Sequence, residues 1–300
     1  MAEVGILGKV LAVISLLIVL WGSYLAYAFL TLTPQISGAW GYVNEKSIEL
    51  DINVYFGKPL PISGGIDEAE LYWAGIKVGT LKDLKVGFLK DNARGMLILN
   101  SKEIVEALKQ HIKNGEKSEV EIRVRGSIFG LPFLRGSFSQ PIETDLLSYI
   151  SNISIESSGD LIKTPAVEGM PSKWGEIREN TIEILSDVKI YNPNPFPLPL
   201  FGIKYTIDAN DYSVAQGELL ERVTIPANGR ETAKIRTVID TDILPKVIAE
   251  HIKRGERSKL ILKLSLNVKV FGREITLDLP TVEKTVETNI VEGLNWALSG

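Results

Sequence analysis

Chemistry in this chain rests on few candidate groups. It holds two histidines, His111 and His251, and no cysteine. Thiolate nucleophiles, disulfides, iron–sulfur clusters and cysteine-ligated zinc are thereby excluded. A histidine-based zinc site needs three or four converging ligands, and no carboxylates stand at metal spacing from either histidine. Each histidine falls near the end of an expected helix, where the dipole stabilises a cation, so both read as structural. Among the carboxylates, Asp208, Asp211, Asp240 and Asp242 are expected in turns and at a helix cap. No nucleophile elbow, P-loop, dinucleotide fingerprint or His-Glu-x-x-His motif occurs. The expectation is a protein that is not an enzyme, with no cofactor and no catalytic or metal residue. A net charge of −4 spread evenly along the chain lacks the basic stripe that a phosphate backbone demands, so nucleic acid is not an expected partner.

The elements that would position these groups come as a repeat. His111-Ile112-Lys113-Asn114-Gly115-Glu116-Lys117-Ser118 matches His251-Ile252-Lys253-Arg254-Gly255-Glu256-Arg257-Ser258 at six of eight positions, 140 residues apart. Upstream, Trp40-Gly41 pairs with Trp174-Gly175. Ile104, Leu108 and Ile112, like Leu244, Ile248 and Ile252, mark one amphipathic helix per copy, stopped by Gly115 and Gly255. Asn100 with Glu103 forms a capping-box pattern at the first helix. After each helix apolar residues alternate, most clearly from Leu260 to Val270, and Phe271-Gly272-Arg273 turns that strand into a hairpin. Further strand-like runs precede each helix. The expected fold is mostly β: two tandem antiparallel β-sandwich domains, each with one α-helix. The first spans 37–147 and the second 173–290. A Ser- and Gly-rich linker covers 148–172, and 291–300 is a C-terminal tail. Asn152-Ile153-Ser154 in the linker is a glycosylation sequon, which makes Asn152 a candidate for modification.

Residues 1–36 read as a transmembrane anchor. From Val10 to Leu30 no residue is charged, and at about 1.5 Å per residue the run reaches roughly 31 Å, the thickness of a hydrocarbon core. Lys9 stands before it, and Trp21, Tyr24 and Tyr27 lie near its far end as interfacial anchors. Membrane lipid is the expected partner of residues 10–30, with other envelope proteins or a second copy as further partners. The positive-inside rule then gives a single-pass protein of the cytoplasmic membrane, N-terminus inside and domains on the extracytoplasmic side. A cleavable signal peptide competes, with Ala26-Tyr27-Ala28 as its cleavage pattern, but its apolar region runs only about 7–15 residues. The scarcity of Cys, Met and Gln matches proteins of hot environments.

Asn192-Pro193-Asn194-Pro195-Phe196-Pro197, after Val188, Ile190 and Tyr191 and before Gly202-Ile203-Lys204-Tyr205, resembles the late embryogenesis abundant group-two domain, also called the water-stress and hypersensitive-response domain. The resemblance covers about 172–290 directly and 38–146 through the repeat. It implies a fibronectin type III-like sandwich, no catalysis, and an association with desiccation or stress. It also implies N-terminal membrane attachment in plant relatives and lipid binding in distant lysosomal ones. The first copy has Gly57-Lys58-Pro59-Leu60-Pro61 in place of the motif. Prolines cannot donate to a ladder and asparagines bond nearby backbone, so Asn192 to Pro195 read first as a turn device. The alternative to a stress-protection role is a lipid-binding module that takes an acyl chain into a groove of several hundred Å³ between sheet and helix.

Overall fold

The computed structural model describes residues 6–31, 34–159 and 162–291. Residues 292–300 of the expected tail 291–300 and the side chain of Lys9 lie outside the described residues. A helix, α1 (Ile6–Leu30), leads into β1 (Gln35–Val43), β2 (Ser47–Leu60), β3 (Gly64–Trp73), β4 (Ile76–Val86) and β5 (Lys90–Asn100). Helix α2 (Ser101–Lys113) precedes the hairpin of β6 (Lys117–Ile128) and β7 (Leu131–Glu143). A short helix α3 (Ser148–Ser151) and β8 (Ala166–Gly169) then lead to the second half. It contains β9 (Ser172–Ile177), β10 (Thr181–Tyr191), β11 (Leu198–Ala209), β12 (Tyr212–Leu219), β13 (Val223–Ile225) and β14 (Arg230–Asp240). It ends with α4 (Leu244–Lys253), β15 (Arg257–Val270), β16 (Arg273–Asp278) and β17 (Val282–Glu287).

Alternating apolar residues give each strand one face that must leave water. In the first sheet the order is β1-β2-β5-β4-β3-β6-β7, all antiparallel. The second runs β10-β14-β12-β11-β15-β16, with β9 beside β10 where the first sheet has β1 beside β2. The chain is mostly β and forms two sheets. Two stacked-sheet sandwiches are therefore corrected: each half is one continuous sheet curled as a half-barrel, and its inner face is covered by helix and irregular chain. A lone amphipathic helix per half can supply that second layer, because the curl already brings distant strands of one sheet toward each other.

Residues 148–172 do not behave as a free linker. Ile155, Val167 and Met170 are buried, Ile150, Ile153 and Ile162 pack beside them, and all meet Val188, Ile190, Ile203 and Leu266 on the inner face of the second sheet. Ile155 bridges Val167, and β8 pairs with β10. Ser154, between Ile153 and Ile155, is exposed, so composition hid an apolar stripe.

The membrane anchor is also corrected. Among the described residues no helix is long and apolar enough to cross a membrane, which removes the spanning segment and the single-pass placement built on it. The polar ends of its expected interfacial rings bond protein. Trp21 Nε1 donates to Pro61 O and Tyr24 O–H to Pro59 O, both at 2.8 Å, and the Tyr27 ring lies 4.6 Å from Lys58 Nζ. Ala28 is fully buried, and with Leu25 it packs on Val54, Leu60, Ile62 and Val86. The last turns of α1 thus belong to the first half.

If residues 148–172 are core, Ile155→Ala should cost about 2–5 kcal/mol, the range for a buried isoleucine truncated to a cavity. Urea unfolding would measure it, and limited proteolysis should find new cuts between 152 and 166. A variant within about 0.5 kcal/mol of the parent would return this stretch to linker status.

Candidate functional site

Each repeated octapeptide contains a Gly-Glu pair with left-handed backbone, Gly115 (φ 70°) with Glu116 (φ 61°) and Gly255 (φ 72°) with Glu256 (φ 61°). Glycine adopts this region freely, whereas a glutamate there costs about 1 kcal/mol or more. The strain is held because each carboxylate sits inside a cage of donors. Glu116 Oε2 accepts from Thr144 Oγ1 at 2.9 Å and Leu146 N at 2.6 Å, and its Oε1 accepts from Trp174 Nε1 at 2.8 Å. Glu256 Oε2 accepts from Thr288 Oγ1 at 3.0 Å and Ile290 N at 2.5 Å, and its Oε1 from Trp40 Nε1 at 2.9 Å. Trp40 lies in β1 and Trp174 in β9, so each half sends its tryptophan to the other half's glutamate. The seam is reciprocal.

Both histidines are wired into this cage. His111 Nε2 lies 2.8 Å from Thr144 Oγ1 and its Nδ1 2.7 Å from Ser118 Oγ, which also accepts from Trp73 Nε1 at 3.0 Å. An indole N–H can only donate and a carboxylate can only accept. Protons therefore point one way along the chain, from Trp73 to Ser118, His111, Thr144 and Glu116, and His111 is the neutral Nε2–H form. Asn210 takes the place of Trp73 in the other half, donating to Ser258 Oγ at 3.2 Å, with His251 and Thr288 following. Burial holds both histidines below their ordinary pKa, against a smaller upward pull from the neighbouring glutamate. Burial pushes Glu116 up, yet the bonds from Leu146, Trp174 and Thr144 outweigh it and its pKa ends below the usual carboxylate value. Glu256 follows the same balance with Ile290, Trp40 and Thr288.

Serine, histidine and glutamate in line suggest a nucleophile relay, but His111 is fully buried and both its ring nitrogens are hydrogen-bonded. Ser118 accepts from Trp73 and donates to His111. Among the described residues no cluster of His, Asp or Glu could hold a metal ion. An open groove of about 550 Å³ does run along the seam, lined by Glu45, Lys46, Lys102, Glu106, Asp242 and Lys246. Its charges alternate in sign, which favours neither anion nor cation. Lys109 seals the seam beneath, bonded to Glu106 Oε1 at 2.7 Å and to the backbone oxygen of Glu179.

The Asn-Pro-Asn-Pro turn is a buried clamp. Asn192 is fully buried and donates from Nδ2 to Phe196 O at 2.8 Å and Pro226 O at 3.0 Å, while its Oδ1 accepts from Asn194 N at 3.0 Å. Asn194 grips the covering chain from both sides: Lys163 N donates to Oδ1 at 3.0 Å and Nδ2 donates to Lys163 O at 2.9 Å. Pro193 and Pro195 lie where no ladder donor is needed. The corresponding run of the first half receives Trp21 and Tyr24 of α1 on Pro59 and Pro61. Asn152 is exposed at the C-terminal end of α3. Enclosed apolar space between the second sheet and residues 153–170 amounts to about 20 Å³, room for one water and not for an acyl chain.

Sequence reading singled out the octapeptides and both tryptophans without joining them. The shared Glu was the available signal: it sits at the same place in both copies, directly after a helix-ending glycine, where a strained charged residue needs a structural reason.

Residues 187–280 match the family model described as Late embryogenesis abundant protein. That interval opens just before the Asn-Pro-Asn-Pro turn and runs through the β15–β16 hairpin. A crystal structure from Archaeoglobus fulgidus is 22% identical, with 41% of this chain and 98% of that one covered and a TM-score of 0.36. A solution structure from Arabidopsis thaliana is 14% identical, with 44% and 88% covered and a TM-score of 0.30. At such scores neither likeness decides anything further. No curated protein matches the chain.

Acid should weaken this seam in two stages. Unfolded histidine takes a proton near pH 6.5 while folded His111 and His251 resist it, so stability falls as pH drops below about 6.5. The caged glutamates contribute above their ordinary value of 4.5 and lose that contribution as pH falls through their depressed folded values. Urea titrations from pH 7.5 to 4 should show this decline, with a shallower slope between 7 and 5.5 in H111Q/H251Q. Glu116→Gln at pH 7 should cost about 1.5–3 kcal/mol, since it removes charge-assisted bonds in a buried cage.

Proposed function

We propose that this is a non-enzymatic, stress- or desiccation-associated protein whose working body is two copies of one late embryogenesis abundant group-two domain, locked face to face at the Trp–Glu seam. The observation that carries this reading is the family match across 187–280, centred on the strand, turn and hairpin that the Asn-Pro-Asn-Pro clamp organises. The common strand order of both sheets and the reciprocal bonds of Trp40 and Trp174 support a duplicated unit. The occupied Ser118–His111–Thr144–Glu116 relay supports a structural task for the most reactive-looking groups.

The surface suits a protein that must outlast its water. Across the strands run exposed ion pairs such as Lys85–Asp67, Arg123–Glu121, Lys117–Glu143 and Lys259–Glu283. In dilute solution each is worth about 0–1 kcal/mol. Removing water lowers the effective dielectric constant between the partners and strengthens their attraction, so the outer faces tighten as drying proceeds. A fold pinned at the seam and stiffened outside stays β-structured in the dry state and can keep neighbouring proteins apart.

Drying a labile dehydrogenase with and without the full chain tests the reading. Greater recovered activity than with an equal mass of serum albumin, together with an unchanged amide I β-band in the dried film, is the expected result. Protection no better than albumin would remove the proposed role.

A further inference from the structure

Helix α2 packs on β9 of the other half, and helix α4 packs on β1. The turns that follow those two strands are held alike: Ser101 N donates to Lys46 O at 3.2 Å and Thr241 N to Asn180 O at 2.9 Å. By the repeat, Glu45 is the counterpart of Glu179, and Lys246 and Ala249 are the counterparts of Glu106 and Lys109. The seam thus makes one contact twice, with different side chains.

At the first contact Lys109 reaches from α2 to the opposite half. Its ammonium donates to Glu179 O and, at 2.7 Å, to Glu106 Oε1, and the residue is 4% exposed. At the second contact the lysine is replaced by Ala249, which has no ammonium to offer Glu45 O. An open groove of about 520 Å³ lies there, with Ala249 as floor and Glu45, Tyr212 and Glu250 among its walls. That size falls within the roughly 300–1,000 Å³ of small-molecule sites.

The groove carries charges of both signs. Glu45 and Glu250 supply carboxylates, and Tyr212 supplies a ring whose face attracts cations. Lys253 is bonded to Glu250 at 3.1 Å, and Lys246 lies 3.8 Å from Glu45 Oε2. Lys46, next to Glu45 in the turn, is exposed and has no acid partner among the described residues. Three lysines against two glutamates leave positive charge that a bare cation would only increase, so a ligand with an ammonium needs an anionic end as well.

We propose that this groove binds a small aliphatic zwitterion, its ammonium against Glu45 O beside Ala249 and its carboxylate on Lys46. The ammonium does at the second contact what Lys109 does at the first, and a short methylene chain fills the space that the lysine stem fills there. The carboxylate answers the unpaired lysine of the same turn.

Calorimetric titration of the full chain with 5-aminopentanoate tests the assignment, with butylammonium and pentanoate as probes of one charge each. Saturable binding at one site per chain is expected, at least about fivefold tighter for the zwitterion than for either single-charge probe. Ala249→Lys supplies the ammonium from α4 itself and should weaken binding at least about tenfold. Lys46→Ala should erase the preference for 5-aminopentanoate over butylammonium; it alters an exposed turn side chain, so it carries the test if Ala249→Lys fails to fold. No saturable binding up to about 50 mM, a range that covers weak small-ligand affinities, overturns the proposal. Unchanged affinity in folded Ala249→Lys, or a preference kept in Lys46→Ala, overturns it equally.

Discussion

A carboxylate withdrawn from water must be met by donors on all sides, and in this protein that requirement is imposed twice, at Glu116 and Glu256. Neither can be satisfied by its own neighbourhood. Each draws one bond from the opposite half, through Trp174 or Trp40, and others from chain more than 25 residues downstream. The left-handed backbone of both glutamates is tolerable only while those bonds persist. Seam, helix ends and exit paths are consequently one cooperative unit, and the histidines are neutral because they relay protons toward the carboxylate rather than compete for them.

The second constraint is geometric. A single curled sheet leaves an apolar inner face with no partner sheet, so cover has to come from elsewhere. Each half recruits it near the C-terminal end of the corresponding strand, β10 or β2. In the second half the place is the turn Asn192 to Pro195, and Asn194 binds both backbone groups of Lys163. In the first it is the end of β2 and the residue after it, where the carbonyls of Pro59 and Pro61 accept from Tyr24 and Trp21. The Asn-Pro-Asn-Pro turn is thus one solution to an attachment problem that the first half solves with prolines and a helix. Its asparagines stay buried because amide groups pair in both directions at once, donating and accepting with the same stretch of chain.

These two constraints also explain why the reactive-looking residues are bonded to one another. Buried hydroxyls and imidazoles without partners would each cost about 1–3 kcal/mol, and the relay from Trp73 to Glu116 removes that cost by fixing every proton.

Much was legible in the sequence because it was local. The helices at 101–113 and 244–253 follow from apolar spacing and glycine stops, and the β15–β16 hairpin from strict alternation around Phe271-Gly272. The Asn-Pro-Asn-Pro turn announced itself through the backbone limits of proline. Whether Trp21 faces lipid or Pro61, whether Ile153 lies in a linker or a core, and whether one face of a sheet meets a second sheet or a strap were not local questions. Identical side-chain patterns serve either answer, since an apolar stripe specifies only that something must cover it. Tertiary structure chose the partner: the curl of each sheet and the crossing of the chain at the seam decided which segments were near enough to bury.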